Sequence, residues 1–193
     1  MASSLSVDVR STMHQRRALR RLALAGNDQD FIASLDSLAA STQDSSAAAA
    51  VWTLAIELRV QTKSWAGFSK ALAKCLRALS KAPPSEEVEQ CRGLVLLARA
   101  IRLSERNRTA EAHREFLKMA SKYEGYFRHM ALTYLGIEAY RAGDTESAID
   151  CLGHSAETMP DELLRLRGYA RELYDLVQRE HSPVVKQYLK LLK

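Results

Sequence analysis

Apolar residues recur three and four apart along most of this chain, the spacing that gathers them on one face of a helix, and polar breaks interrupt them. The breaks are Gly26-Asn27-Asp28, Ser41 to Ser46, Lys63-Ser64, Ala82-Pro83-Pro84-Ser85, Asn107-Arg108-Thr109, Glu124-Gly125, Gly143-Asp144, Met159-Pro160-Asp161 and His181-Ser182-Pro183. Each joins a helix stop to a polar start signal. Between them lie segments of about ten to twenty residues, which predicts about ten helices paired as about five antiparallel hairpins. Three starts carry their own chemistry. Ser85 precedes Glu86-Glu87 and Val88, Ser182 precedes Pro183, and Pro160 precedes Asp161-Glu162; hydroxyl caps, early prolines and early acids all suit the positive end of a helix.

Composition agrees with the pattern. Ala, Leu, Arg, Glu and Lys dominate, and only eight Gly and four Pro interrupt them, a mixture that loses little rotamer freedom in a helix. Alternating β-branched runs are absent, so the expected class is all-α with no sheet. At 193 residues the chain suits one domain or one continuous array and buries roughly 70% of its unfolded surface on folding. Three cysteines, Cys75, Cys91 and Cys151, are odd in number and sit in apolar helical patterns, so they are expected to be reduced and buried.

The segment from Leu132 to Pro160 is the most informative. It reads Leu132-x-x-Leu135-Gly136-x-x-Ala139, then Gly143-Asp144, then Ala148-x-x-x-Leu152 and Pro160. This resembles a tetratricopeptide repeat, a helix-turn-helix unit of 34 residues with small residues where its two helices cross. The small residues Gly136 and Ala148 stand twelve apart; Ala100 and Ala112, followed by Phe116, and Ala55 and Gly67, followed by Ala71, repeat the interval. Tyr169-Ala170-x-x-Leu173 opens one more unit. The anchors are separated by 34 residues from Gly136 to Ala170, 36 from Ala100 to Gly136 and 45 from Ala55 to Ala100. The resemblance is best over 129–162, extends over 48–180, and replaces the family's rings by Leu132, Ala139 and Leu152, with Tyr134 and Tyr140 one helical step aside.

The resemblance implies a right-handed α-α superhelix, a solenoid that buries a core by stacking its repeats. It also implies a single domain over 1–193: an N-terminal capping hairpin at 1–45, a repeat array at 46–180 and a C-terminal capping helix at 182–193. In the family the first helix of each hairpin lines a concave groove. Carried over by spacing from the small anchors, the groove residues are Trp52, Ile56, Leu97, Ile101, Thr133, Ile137, Arg167 and Arg171, with Met130 and Tyr140 beside them. Apolar residues in most of these places suit an amphipathic helix or an extended apolar segment of a partner, and they leave no carboxylate clamp of Lys and Asn. Arg167 and Arg171 share a helical face able to receive a carboxylate bidentately, or to pair with Glu172 or Asp175. The competing reading is that these apolar positions are core, or are covered by the last helix through Val184, Val185, Tyr188, Leu189 and Leu192.

Charge opens a second function class. The formal charge is +5 and the pI about 9.2, which invites an RNA-binding α-solenoid that tracks phosphates with basic helical faces. Beyond Arg10, Arg16, Arg17, Arg20 and Arg21, however, bases alternate with acids, as in Glu111/Arg114/Glu115/Lys118. The early arginines and serines have the composition of a mitochondrial presequence, and a plain basic first helix accounts for them equally. A cytoplasmic location is expected, with mitochondria the alternative. No apolar run has the ~18 residues of a membrane span.

Catalytic patterns such as H-E-x-x-H, G-x-x-x-x-G-K and G-x-S-x-G are missing, so no catalytic, cofactor or metal site is expected. Asp150 and His154 make only a two-member pair one turn apart, and His129, beside Arg128, is expected at an exposed hairpin end. The expected function is a scaffold or a fixed subunit of a multiprotein complex.

Overall fold

The computed structural model describes residues 28–159 and 164–181. The basic N-terminal stretch, the Pro160 helix start and the 182–193 capping helix lie outside the described residues. Those described form eight helices and no strand. They are α1 (Asp28–Ser41), α2 (Ser45–Gln61), α3 (Phe68–Lys81), α4 (Glu86–Glu105), α5 (Thr109–Lys122), α6 (Gly125–Arg141), α7 (Thr145–Thr158) and α8 (Leu164–His181). The expected breaks from Ser41–Ser46 to Gly143-Asp144 fall at or between the ends of these helices, and the Ser85 hydroxyl accepts from the Val88 N–H at 3.2 Å at the start of α4.

The chain divides into two compact units, 1–99 and 100–193. In the first, α1 packs on α2 and α2 on α3. Ile32 and Leu35 of α1 meet Leu54, Ala55 and Leu58 on one side of α2. The other side presents Ala49, Trp52 and Ile56 to a larger core with Phe68, Ala71, Cys75 and Leu79 of α3 and Val88, Cys91 and Val95 of α4. A helix with apolar residues on both sides has no solvated face to spare, and this is why α2 lacks amphipathic character while α3 keeps one polar side. Arg59 locks the first unit together: its guanidinium pairs with Asp36 of α1 at 2.6 Å and donates to the carbonyls of Ala66 and Ala55.

The second unit runs α5, α6, α7, α8 with each helix against the next, and α6 also touches α8. Here the chain repeats itself. Asn107 and Gly143, 36 residues apart, both take left-handed backbone, with φ of 57° and 81°. Around them the Arg108 N–H reaches the Leu103 carbonyl at 3.0 Å and the Asp144 N–H reaches Ala139 at 2.9 Å, the six-to-one bond that closes a helix on a left-handed residue. The helices that follow, α5 and α7, are both 14 residues long. Ala112 and Phe116 of α5 and Ala148 and Leu152 of α7, again 36 apart, are fully buried.

A third version of the turn follows α2, where Lys63 has φ 53° and the Thr62 N–H bonds Leu58, as Ala142 bonds Glu138 after α6. This register corrects the first hairpin. Lys63 stands 44 residues before Asn107, so Ile56, not Ala55, occupies the place of Ala100. Ala55 packs toward α1, and Gly67 lies in the turn ahead of α3 with φ 68°. The chain takes a longer path from Gln61 to Phe68, and bulky Ile56 and Phe68 stand where the later hairpins use small residues.

Candidate partner-binding surface

The site expected along the first helices divides into residues that are covered and residues that are reachable. Trp52, only 4% exposed, Ile56, Leu97 and Thr133 are buried and offer a partner no surface, which corrects their place in the groove. Trp52 and Ile56 are enclosed by the core shared with α3 and α4, and the Lys74 ammonium caps the Trp52 ring at 5.0 Å. Thr133 turns inward because its hydroxyl donates to the His129 carbonyl at 2.8 Å and meets the Ser155 hydroxyl of α7 at 3.0 Å.

Thr53 shows the same construction, its hydroxyl on the Ala49 carbonyl at 2.8 Å and on the Cys75 sulfur at 3.5 Å. Both inter-helix pairs are 22 residues apart in sequence. A hydroxyl that repays its own helix backbone and bridges to the facing helix is a satisfied core group rather than a ligand site. Burial raises the Cys75 thiol to about 11, so it is inert at neutral pH.

Ile101, Met130, Ile137, Tyr140 and Arg167 are half-buried, and Arg171 is exposed. Two of these are committed internally. Tyr140 packs against the buried cluster of Ala148, Leu152 and Val177, as Leu173 and Tyr174 of α8 also do, and donates its hydroxyl to Glu180, while Arg171 lies 3.8 Å from Asp175 with its guanidinium 5.8 Å from the centre of the Tyr174 ring. Arg167 reaches the Met159 carbonyl.

What remains open centres on α6. Tyr126, Met130, Tyr134, Ile137 and Arg141 follow one another at helical spacing, Tyr126 and Arg141 exposed and the other three half-buried. Tyr134 and Tyr126 were not in the expected set. Tyr134 stacks on Phe116 of α5, centroids 5.1 Å apart and planes within 3°. Burial pushes its phenol up, reinforced by Tyr169, Tyr126 and Glu105 and opposed by Arg141, so it is a neutral hydrogen-bonding group at pH 7. The end of α4 reaches the same helix: the Ser104 hydroxyl donates to the buried Glu138 carboxylate at 2.6 Å, which Arg141 also approaches at 3.0 Å. Ile101, three residues before Ser104, is therefore directed to the α6 side of its helix.

Compared with known proteins, the chain matches no family model, no curated protein and no solved structure. Among the described residues no cluster of three or more His, Cys, Asp or Glu has metal-holding geometry, and no helix is long and apolar enough to cross a membrane. Two open clefts lie in the second unit. One, of about 680 Å³, is lined by Thr109, Ala110, His113 and Arg114 of α5 with Glu138, Ala139 and Asp144. The other, of about 550 Å³, brings Asp150, Cys151, His154 and Glu157 near Tyr174. Burial raises the Cys151 thiol, with Asp150 and Asp144 adding to it, the opposite of what activates a nucleophile.

His129 corrects a further expectation, being 4% exposed rather than at an open end. Sequence spacing held the signal: it lies four residues before Thr133, whose inward direction carries His129 with it.

Proposed function

We propose that this chain is a non-enzymatic protein-binding scaffold, or a structural subunit of a larger assembly, built as a tetratricopeptide-like right-handed array of helical hairpins. Its partner, a helix or an extended apolar segment, lies along the first helices of the later hairpins. The observation that carries this reading is the hairpin register: the same left-handed turn, the same closing hydrogen bond and the same buried pair recur after 36 residues. Hairpins stacked in register place equivalent helix faces side by side, and repeat proteins bind along such faces. On α6 that face holds Met130, Tyr134 and Ile137, large apolar and aromatic groups of the kind that anchor interfaces.

Protein is favoured over nucleic acid by how the bases are used. Arg59, Arg92, Arg108, Lys118, Arg141 and Arg171 each face a carboxylate on their own or a neighbouring helix. Five arginines and one acid lie within the first 26 residues, so the rest of the chain carries 23 basic and 22 acidic side chains. A nearly neutral body lacks the excess of cations that counterion release requires.

Replacing Ile101 and Ile137 together by Asp is expected to abolish capture of the partner while lowering the thermal midpoint less than the same change at a fully buried position such as Ile56, because both side chains keep partial exposure. Leu117→Asp, on α5 and 49% exposed, is the matched control and should capture normally. Equal capture by all three proteins, measured by quantitative pull-down beside circular-dichroism melting, contradicts the proposed face.

A further inference from the structure

We propose that His129 makes the pairing of α6 with α7 acid-sensitive, so that this hairpin loosens as the pH falls below the ordinary histidine range. The geometry begins with the polar lock between the two helices. The His129 carbonyl receives both the Thr133 hydroxyl, at 2.8 Å, and the Ser155 hydroxyl, at 3.1 Å. The imidazole on the same residue is enclosed, and its Nδ1 is buried with no hydrogen-bond partner. In the neutral ring an unprotonated Nδ1 tolerates this position at modest cost. Protonation turns it into a charged N–H donor with nothing to receive it, and an unpaired buried charge is far more costly than an unpaired neutral acceptor.

The titratable and charged groups acting on the ring compound this. Arg128 on α6 and His154 on α7 both oppose its protonation, and burial opposes it more than either, so His129 titrates below its ordinary value. No carboxylate offsets them among the described groups that act on it.

The equivalent lock in the first unit carries Ala49 at this position, with Thr53 and Cys75 completing it. An imidazole is therefore not needed to build the lock, and the acid response belongs to the α6–α7 version alone.

The sign follows from linkage. Above the unfolded-state value near 6.5 the ring is neutral in both states and adds no pH dependence. As the pH falls below 6.5 the unfolded chain takes up a proton that the folded chain refuses, and stability drops until the folded-state value is reached. Over that window the unfolding constant rises by up to about tenfold per pH unit.

The experiment is urea unfolding of the full chain at pH 7.5, 6.5, 6.0 and 5.5, for the native protein, His129→Ala and His154→Gln, with an NMR titration of the native histidine rings. The native chain and His154→Gln should both lose stability across this range, His129→Ala should show a much flatter profile, and one ring should titrate below 6.5. A native profile that is flat, a slope retained in His129→Ala, a slope lost in His154→Gln, or a folded-state His129 value at or above 6.5 overturns the proposal. The ring titration decides it even where His129→Ala folds poorly.

Discussion

Gly136→Leu is expected to destabilise the chain by about 3 kcal/mol or more, near the upper range of overpacking. A Cβ at this position would stand 2.5 Å from Leu152 Cγ, 3.0 Å from its Cδ2 and 3.3 Å from the Ala148 carbonyl oxygen. Leu152 is itself 1% exposed and has nowhere to retreat, so the helices themselves must separate. Gly136→Ala sets two effects against each other. Alanine gains about 1 kcal/mol of helix propensity over glycine, while the contact with Leu152 brings an overpacking penalty of about 1 to 3 kcal/mol. A net loss of up to about 2 kcal/mol is expected, smaller than for leucine. Urea midpoints for the two variants check the order; a native-like midpoint for Gly136→Leu would show that α6 and α7 do not cross here.

Asp36→Ala is expected to cost about 3 kcal/mol, at the lower end for breaking a buried pair. The asymmetry of the pair decides which half matters more. The Arg59 side chain is 4% exposed and that of Asp36 33% exposed, so an abandoned Asp36 can hydrate whereas an abandoned Arg59 cannot. Asp36→Ala leaves the guanidinium only the carbonyls of Ala66 and Ala55. Arg59→Met removes the buried charge along with its hydrogen bonds and should cost less than Asp36→Ala. Adding Arg59→Met to Asp36→Ala should recover part of the loss, a coupling read from a double-mutant cycle. A cost below about 1 kcal/mol for Asp36→Ala would place this pair with ordinary surface ion pairs.

The elements were legible because their punctuation is local. Pro83-Pro84-Ser85 stops one helix and caps the next, and Gly143-Asp144 supplies both a left-handed residue and the carboxylate that accepts from the Ser147 N–H. The crossing of α6 and α7 was legible from Gly136 and Ala148, since only small residues permit it. The first hairpin hid its register because Ile56 and Phe68 replace the small pair and Lys63, a residue with no turn signature, takes the left-handed position.

Burial was less legible than helicity. Periodicity groups Trp52 with Ile56 and Thr133 with Ile137, but α2 has apolar neighbours on two sides, and a helix enclosed that way has no open face for the pattern to indicate. Thr133 and His129 turn inward onto Ser155 of α7, which meets the Thr133 hydroxyl 22 residues away and donates its own hydroxyl to the His129 carbonyl 26 residues away, a pairing that no local pattern contains. Tyr134 was visible as a ring displaced by one step; its stacking on Phe116 depends on how α5 meets α6.

The proposed binding requires α6 to present its Met130, Tyr134 and Ile137 side to a partner. Amide hydrogen exchange of the full chain, with and without the captured partner, tests this most directly. Slowed exchange is predicted over 126–141 and the end of α4 around Ile101, with α5 and α7 unchanged. Protection confined to α5 or α7, or no difference anywhere along α6 in a saturated complex, would contradict it.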